Sequence, residues 1–181
     1  VSEVFIYYSG HGAPDINSNK GYFVPSDCDP SKVAITGYPL DVFYGNISKI
    51  KAKKISIVLE ACLSGGTKSG EWVIREASPA LIKVEQPLPS NENMIVMTSS
   101  TGNQISSWHR EREHGLFTYF FLKAMRGYGD TNKDNKMSIQ EIYDCVSDRS
   151  EGVPYWARRF HGGRVQTPTL QGSGADIFST F

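Results

Sequence analysis

Two residues have the side-chain types and the settings for acyl-transfer chemistry: the thiol of Cys62 and the imidazole of His11. Cys62 follows the apolar run Ile55 to Leu59 in ISIVLEACLSGG, and His11 follows Val4 to Tyr8 in VFIYYSGHG. A thiol attacks as its thiolate, and a free cysteine with a pKa of about 8.5 is only slightly ionised at neutral pH. A neighbouring imidazole, titrating near about 6.5, corrects this and can donate a proton to a departing amine. Cys62 would then attack a scissile carbonyl, His11 would protonate the leaving nitrogen, and water would hydrolyse the acyl-enzyme. The same two residues also admit a plainer reading, Cys62 as a small buried hydrophobe and His11 as a core histidine satisfied by a carbonyl. His109, His114 and His161 do not end an apolar strand and are expected on the surface or in loops.

Positioning such a pair is a task for strand ends. Short apolar runs that break into Gly, Ser and polar residues are the pattern of parallel strands covered on both faces, and open α/β sheets bind ligands at the carboxyl ends of their strands. Between the two runs, Leu40, Phe43, Tyr44, Ile47 and Ile50 recur at helical spacing, with Lys49, Lys51, Lys53 and Lys54 gathered near the helix end. Strand, helix, strand is a βαβ unit with a right-handed crossover. Ala13 to Lys20 is read as a polar loop, and Gly21 to Pro25 as a short strand. Met94 to Ser100 is a further core strand, and Leu116 to Met125 a helix buried against the sheet. Ile139, Ile142, Tyr143 and Val146 form an amphipathic helix beginning at Ser138. From Arg149 onward the chain is Gly-rich and aromatic, with one last strand in GADIFSTF.

The words SGHG and EACLSGG, with the histidine about 50 residues before the cysteine, resemble the caspase-like cysteine peptidases: caspases, metacaspases, paracaspases and their bacterial relatives. The word Glu60-Ala61-Cys62 departs from the caspase Q-A-C at its first position, and E-A-C followed by S-G is also similar to legumain. QTPTLQGSGADIF near the end resembles the closing segment of bacterial caspase homologues. The resemblance implies an α/β caspase-like sandwich, a mostly parallel β-sheet flanked by helices on both faces. It implies oxyanion stabilisation by the backbone N–H groups of Gly12 and Cys62. It places Ser9 and Glu60 in the pocket for the residue before the cut, and Ser107 and Trp108 as a wall beside the substrate.

A carboxylate in a desolvated pocket prefers Arg or Lys, so Glu60 predicts cleavage after a basic residue. Legumain-like enzymes carry the same glutamate and cut after Asn, which leaves an Asn-specific peptidase or transamidase as a rival. A catalytically silent, calcium-braced interaction domain is a third reading, and an exposed Glu60 on a loop a plainer one.

Asp130 to Glu141 matches an EF-hand calcium loop at positions 1, 3, 5, 9 and 12, with Asn135 in place of the usual glycine. The candidate ligands are Asp130, Asn132, Asp134, Lys136 and Glu141. The competing reading is a polar turn followed by a capping box, Ser138 with Glu141. The hydrolytic chemistry needs no cofactor, so Ca²⁺ would act beside it.

The 181 residues suffice for a single domain, with an internal linker at about 67–93 and the EF-hand-like loop at 130–141. Loops as long as that linker are usually functional, and self-cleavage is expected after Lys68, Arg75 or Lys83. Lys plus Arg equals Asp plus Glu at 19 each, so no net field argues for nucleic acid or an anionic membrane. The expected partner is a protein or peptide substrate. The chain opens on a core strand at Val4, so an N-terminal part is expected to be missing, and a partner fragment could supply the missing strands. Three cysteines leave at least one unpaired, consistent with a reducing compartment, and a cytoplasmic location is expected.

Overall fold

The first long run of the chain, Glu3–Pro14 (β1), is extended because its β-branched and aromatic residues alternate between two faces of a sheet. In the computed structural model, which describes residues 2–15, 17–62, 92–102 and 104–180, it continues past His11 into a hairpin with β2, Gly21–Val24. Ala13 and Pro14, expected in a polar loop, are therefore buried strand residues. A short helix, α1 (Val33–Thr36), leads to β3 (Tyr38–Pro39) and α2 (Leu40–Ile47). Ile50 lies beyond the end of α2, as does the lysine cluster. The apolar strand β4 (Lys54–Cys62) follows.

Residues 63–91 lie outside the described residues, and with them most of the linker and the expected cleavage positions Lys68, Arg75 and Lys83. The chain resumes with β5 (Met94–Thr98), a small hairpin β6 (Trp108–His109) and β7 (His114–Gly115), and α3 (Leu116–Lys123). A π-helical turn over Ala124–Tyr128 leads to β8 (Lys136–Ser138), α4 (Ile139–Ser147), α5 (Val153–Phe160), β9 (Thr169–Gln171) and β10 (Ile177–Thr180).

Six strands form one sheet in the order β3-β2-β1-β4-β5-β9. Its centre, β1, β4 and β5, is parallel, and β2, β3 and β9 are antiparallel additions at the edges. One face packs Ile55, Ile57, Leu59 and Val96 under α2, and the other packs Val58, Ile95 and Met97 under α3, α4 and α5. This is the α/β sandwich expected from the sequence, with helices on both faces. The α3 face is dominated by Phe117, Phe120 and Phe121, each worth roughly 1.5–3 kcal/mol when taken out of water.

The C-terminal part has two features beyond what the sequence foretells. Val153–Phe160 is a helix, started by Pro154 in its first turn and buried through Val153, Pro154 and Ala157. The last strand, β10, pairs with β8 beside the 130–141 loop and not with the main sheet. No described helix is long and apolar enough to cross a membrane.

Candidate active site

The parallel register of β1 and β4 sets His11 opposite Cys62 and Ser9 opposite Glu60. Register partners on neighbouring strands have backbones about 4.8 Å apart and project their side chains to the same face. That face is the one α3 covers, since the Tyr7 hydroxyl meets Thr118 Oγ1 at 2.6 Å. One sheet face therefore carries Tyr7, Ser9 and His11 on β1 beside Val58, Glu60 and Cys62 on β4. His11 is exposed and Cys62 is 1% exposed, so the imidazole stands at the solvent side and the thiol beneath. Gly12, the next residue along, is buried opposite Phe23 of β2.

The Cys62 sulfur is held by Ser106, a residue that no motif in the sequence points to. The Ser106 amide donates to Sγ at 3.0 Å, and the thiol reaches the Ser106 carbonyl at 3.4 Å. Behind that loop Gln166, 0% exposed, accepts from the Ser107 amide at 2.8 Å and donates to the Ser99 carbonyl at 3.0 Å. The Ser99 and Ser106 hydroxyls bond one another in a short contact, and the Ser106 hydroxyl also reaches the Ala61 carbonyl at 3.4 Å. The available signal is Gln166 itself, the first residue of the QTPTLQGSGADIF segment, where nothing in the spacing assigns it a role.

Glu60 is on the site's face but not on a surface loop. It is 0% exposed, accepts from the Phe117 amide at 3.2 Å, and takes a short hydrogen bond from the Thr118 hydroxyl. Both donors belong to the first turn of α3, where the N–H groups lack intrahelical partners and the helix dipole favours negative charge. Gly115 is required where the helix starts, because a Cβ there would overlap the Glu60 carboxylate.

Ser107 is fully buried, its carbonyl accepts from Leu116 N at 2.8 Å, and its hydroxyl has no hydrogen-bond partner among the described residues. Trp108 is half-buried and lines a cavity of about 210 Å³ with His109, Arg110, Glu111, Phe160 and His161. Ser9 is exposed.

His109 corrects an expectation: it is 8% exposed, packed between Tyr119 and Phe160 at ring centroids of 4.7 and 5.3 Å. His161 Nε2 lies 2.8 Å from the Trp108 carbonyl, which can only accept, so that nitrogen carries the proton. Burial pushes the pKa of both imidazoles below the ordinary histidine value. The unfolded chain then binds more protons near pH 6 than the folded one, so stability rises with pH there. We expect a melting temperature that falls as pH drops from 7.5 through about 6. The slope should be shallower in His109→Phe, and thermal melts across that range check it.

The 130–141 loop is closed on its own backbone. Asp130 accepts from the amides of Asp134 and Asn135 at 3.2 and 3.1 Å, Asn132 accepts from Asp134 at 2.9 Å, and Asp134 accepts from Lys136 at 2.8 Å. Lys133 and Asn135 take left-handed φ values of 59° and 60°. Glu141 completes a capping box with Ser138, accepting from its amide and hydroxyl at 2.9 and 2.7 Å, while Oε1 is buried without a partner. Among the described residues, no three His, Cys, Asp or Glu side chains are gathered so as to hold a metal ion.

Residues 2–176 match the family model described as the caspase domain. No curated protein matches the chain. Among solved structures, the fold is similar to protein GSU0716 from Geobacter sulfurreducens, 14% identical with a TM-score of 0.53, over 95% of this chain and 67% of that one. It is also similar to caspase-1 from Spodoptera frugiperda, 13% identical with a TM-score of 0.54, over 98% of this chain and 62% of that one.

Proposed function

The chain belongs to the caspase-domain family, and on that premise we propose that it is a cysteine endopeptidase in which Cys62 attacks the scissile carbonyl and His11 protonates the departing amine. The observation that carries this reading is the β1–β4 register, which puts the two residues opposite one another on a common sheet face. The thiolate forms an acyl-enzyme, the amine leaves with the imidazole's proton, and water completes hydrolysis. The amides of Cys62 and Gly12 are assigned to the oxyanion; one such donor is worth about 100-fold or more in rate.

Cleavage is assigned to bonds after Arg or Lys. Glu60 lies two residues before Cys62 on the same sheet face, and a carboxylate there would pair with a basic side chain. Ser9 stands opposite Glu60 at the rim, and Ser107 and Trp108 are assigned to the wall beside the substrate. A second reading is favoured by the burial of Glu60: a carboxylate already committed to a helix end would leave the pocket to a neutral side chain such as Asn. A fluorogenic peptide panel with Arg, Lys, Asn or Asp before the cut tests both. Cleavage after Arg and Lys supports the first, cleavage after Asn the second, and no cleavage of any peptide sinks the peptidase assignment.

Two further assignments accompany it. Ca²⁺ is proposed as a brace on the loop of Asp130, Asn132, Asp134, Lys136 and Glu141, outside the chemistry. Glu141 would have to leave its bonds to Ser138, so affinity should be weak, in the millimolar range of about 10⁻⁴–10⁻³ M. We expect calorimetric uptake and a raised melting temperature in millimolar Ca²⁺, both lost in Glu141→Gln; no uptake removes the metal from this account. A partner strand is proposed along Glu3 to Gly10 of β1, since β2 pairs only with His11 to Pro14 and Phe5 and Tyr7 are 53% and 43% exposed.

A further inference from the structure

We infer that the Ser106 amide is the hydrogen-bond donor that holds and stabilises the Cys62 thiolate, and that Gln166 is the positioning residue that keeps it aimed. This deepens the peptidase reading and rests on Cys62 being the nucleophile. A thiol can donate one proton and accept weakly, and here it does both with one residue, accepting from Ser106 N at 3.0 Å and donating to Ser106 O at 3.4 Å. Ionisation changes the balance between those contacts. The thiolate has no proton for the carbonyl but accepts more strongly from the amide, and hydrogen bonding to the charged form lowers the pKa of the group that bears it. His11 takes the proton; Ser106 N–H supports the charge left on sulfur.

An amide does this only if it cannot turn away. Ser106 belongs to an irregular connection between β5 and β6, where no sheet ladder fixes it. Gln166 supplies the missing constraint. Its carboxamide is 0% exposed and spans the connection, donating to the carbonyl of Ser99 at the end of β5 and accepting from the amide of Ser107, the residue after Ser106. The Ser99 amide in turn donates to the Leu59 carbonyl on β4 at 2.9 Å. A single side chain thus links the strand that carries Cys62, through Ser99, to the loop that presents the Ser106 amide. Its position just ahead of Thr169–Gln171, which adds antiparallel to β5, explains how residue 166 arrives there.

The test is the pH dependence of Cys62 alkylation by iodoacetamide, mapped by mass spectrometry so that Cys28 and Cys145 are counted apart. Alkylation reads the thiolate whether or not any peptide is cleaved. Gln166→Met removes both hydrogen bonds at nearly constant volume. Its alkylation midpoint is expected to move up by about one pH unit, with roughly tenfold slower modification at pH 7. Gln166→Glu, whose neutral acid can donate to Ser99 and accept from Ser107, should stay closer to the wild-type profile. A purely structural role would lower the melting temperature and leave the midpoint where it was, and that result in folded Gln166→Met overturns the inference. Should the methionine variant not fold, Gln166→Asn, one methylene too short for both contacts, is read by the same two criteria. A shifted midpoint in a chain that cleaves no peptide would leave the inference standing and remove the peptidase reading; normal cleavage with an unmoved midpoint would do the reverse.

Discussion

Cys62→Ala is expected to reduce peptide cleavage by at least about 1,000-fold while the domain stays folded. The loss is large because no other cysteine can substitute. Cys28 follows β2 and Cys145 is in α4, so neither is on the strands that carry His11 and Cys62, and burial pushes the Cys145 thiol up, away from the reactive form. The structural cost is small by comparison. Alanine leaves a small gap at a residue 1% exposed and leaves the Ser106 amide without its sulfur acceptor, together about 1–2 kcal/mol. His11→Ala should fall short of this, at about 100- to 10,000-fold, because the thiolate can still form at higher pH while the leaving amine has lost its proton donor. His11 is exposed, so its removal should leave the melting temperature nearly unchanged. Steady-state rates beside thermal melts of the two variants check both statements. A Cys62→Ala chain that still cleaves would move the nucleophile elsewhere.

Substitution of Glu60 should separate its structural role from the proposed one in substrate selection. Its carboxylate closes the N-terminal turn of α3 through Phe117 and Thr118, and Thr118 is held in turn by the Tyr7 hydroxyl. Glu60→Ala therefore removes a helix cap, strands two buried donors and opens a cavity under Gly115. We expect a loss of about 3–5 kcal/mol and a fall in melting temperature of roughly 10 °C. Glu60→Gln keeps the volume and one acceptor, so the fold should lose only about 1 kcal/mol. If the carboxylate also selects the substrate, that variant loses a charge-assisted contact worth about 1.5–3 kcal/mol, a drop of roughly 10- to 100-fold in kcat/KM for Arg and little change for Asn. An equal fall for every peptide would make Glu60 a helix cap alone and remove it from the proposed specificity pocket.

These two variants also show where sequence reading succeeds and where it stops. The strands of His11 and Cys62 were legible because an apolar run that breaks into small and polar residues is a local pattern, and their pairing followed from the rule for parallel sheets. Glu60 is legible as a neighbour of Cys62, but its burial depends on where α3 begins, a tertiary fact set by Gly115. His109 looked like a loop residue amid Arg110 and Glu111; Tyr119 and Phe160, distant in the chain, enclose it. Helix α5 is not legible because its three buried residues, Val153, Pro154 and Ala157, make too short a stripe among Tyr, Trp and Arg to register as helical periodicity. The roles of Ser99, Ser106 and Gln166 are invisible in the sequence for a different reason. Single polar residues acquire a role only when folding leaves them no water, and no spacing rule anticipates that.

The central claim, that residues 11 and 62 act as one catalytic pair, is tested most directly by trapping. A peptidyl chloromethyl ketone ending in Arg, incubated with the chain and followed by peptide mapping, should leave one adduct on Cys62. Labelling should slow by about 100-fold or more in His11→Ala at neutral pH. Adducts spread over Cys28 and Cys145, or labelling of Cys62 at the same rate with and without His11, would contradict the account.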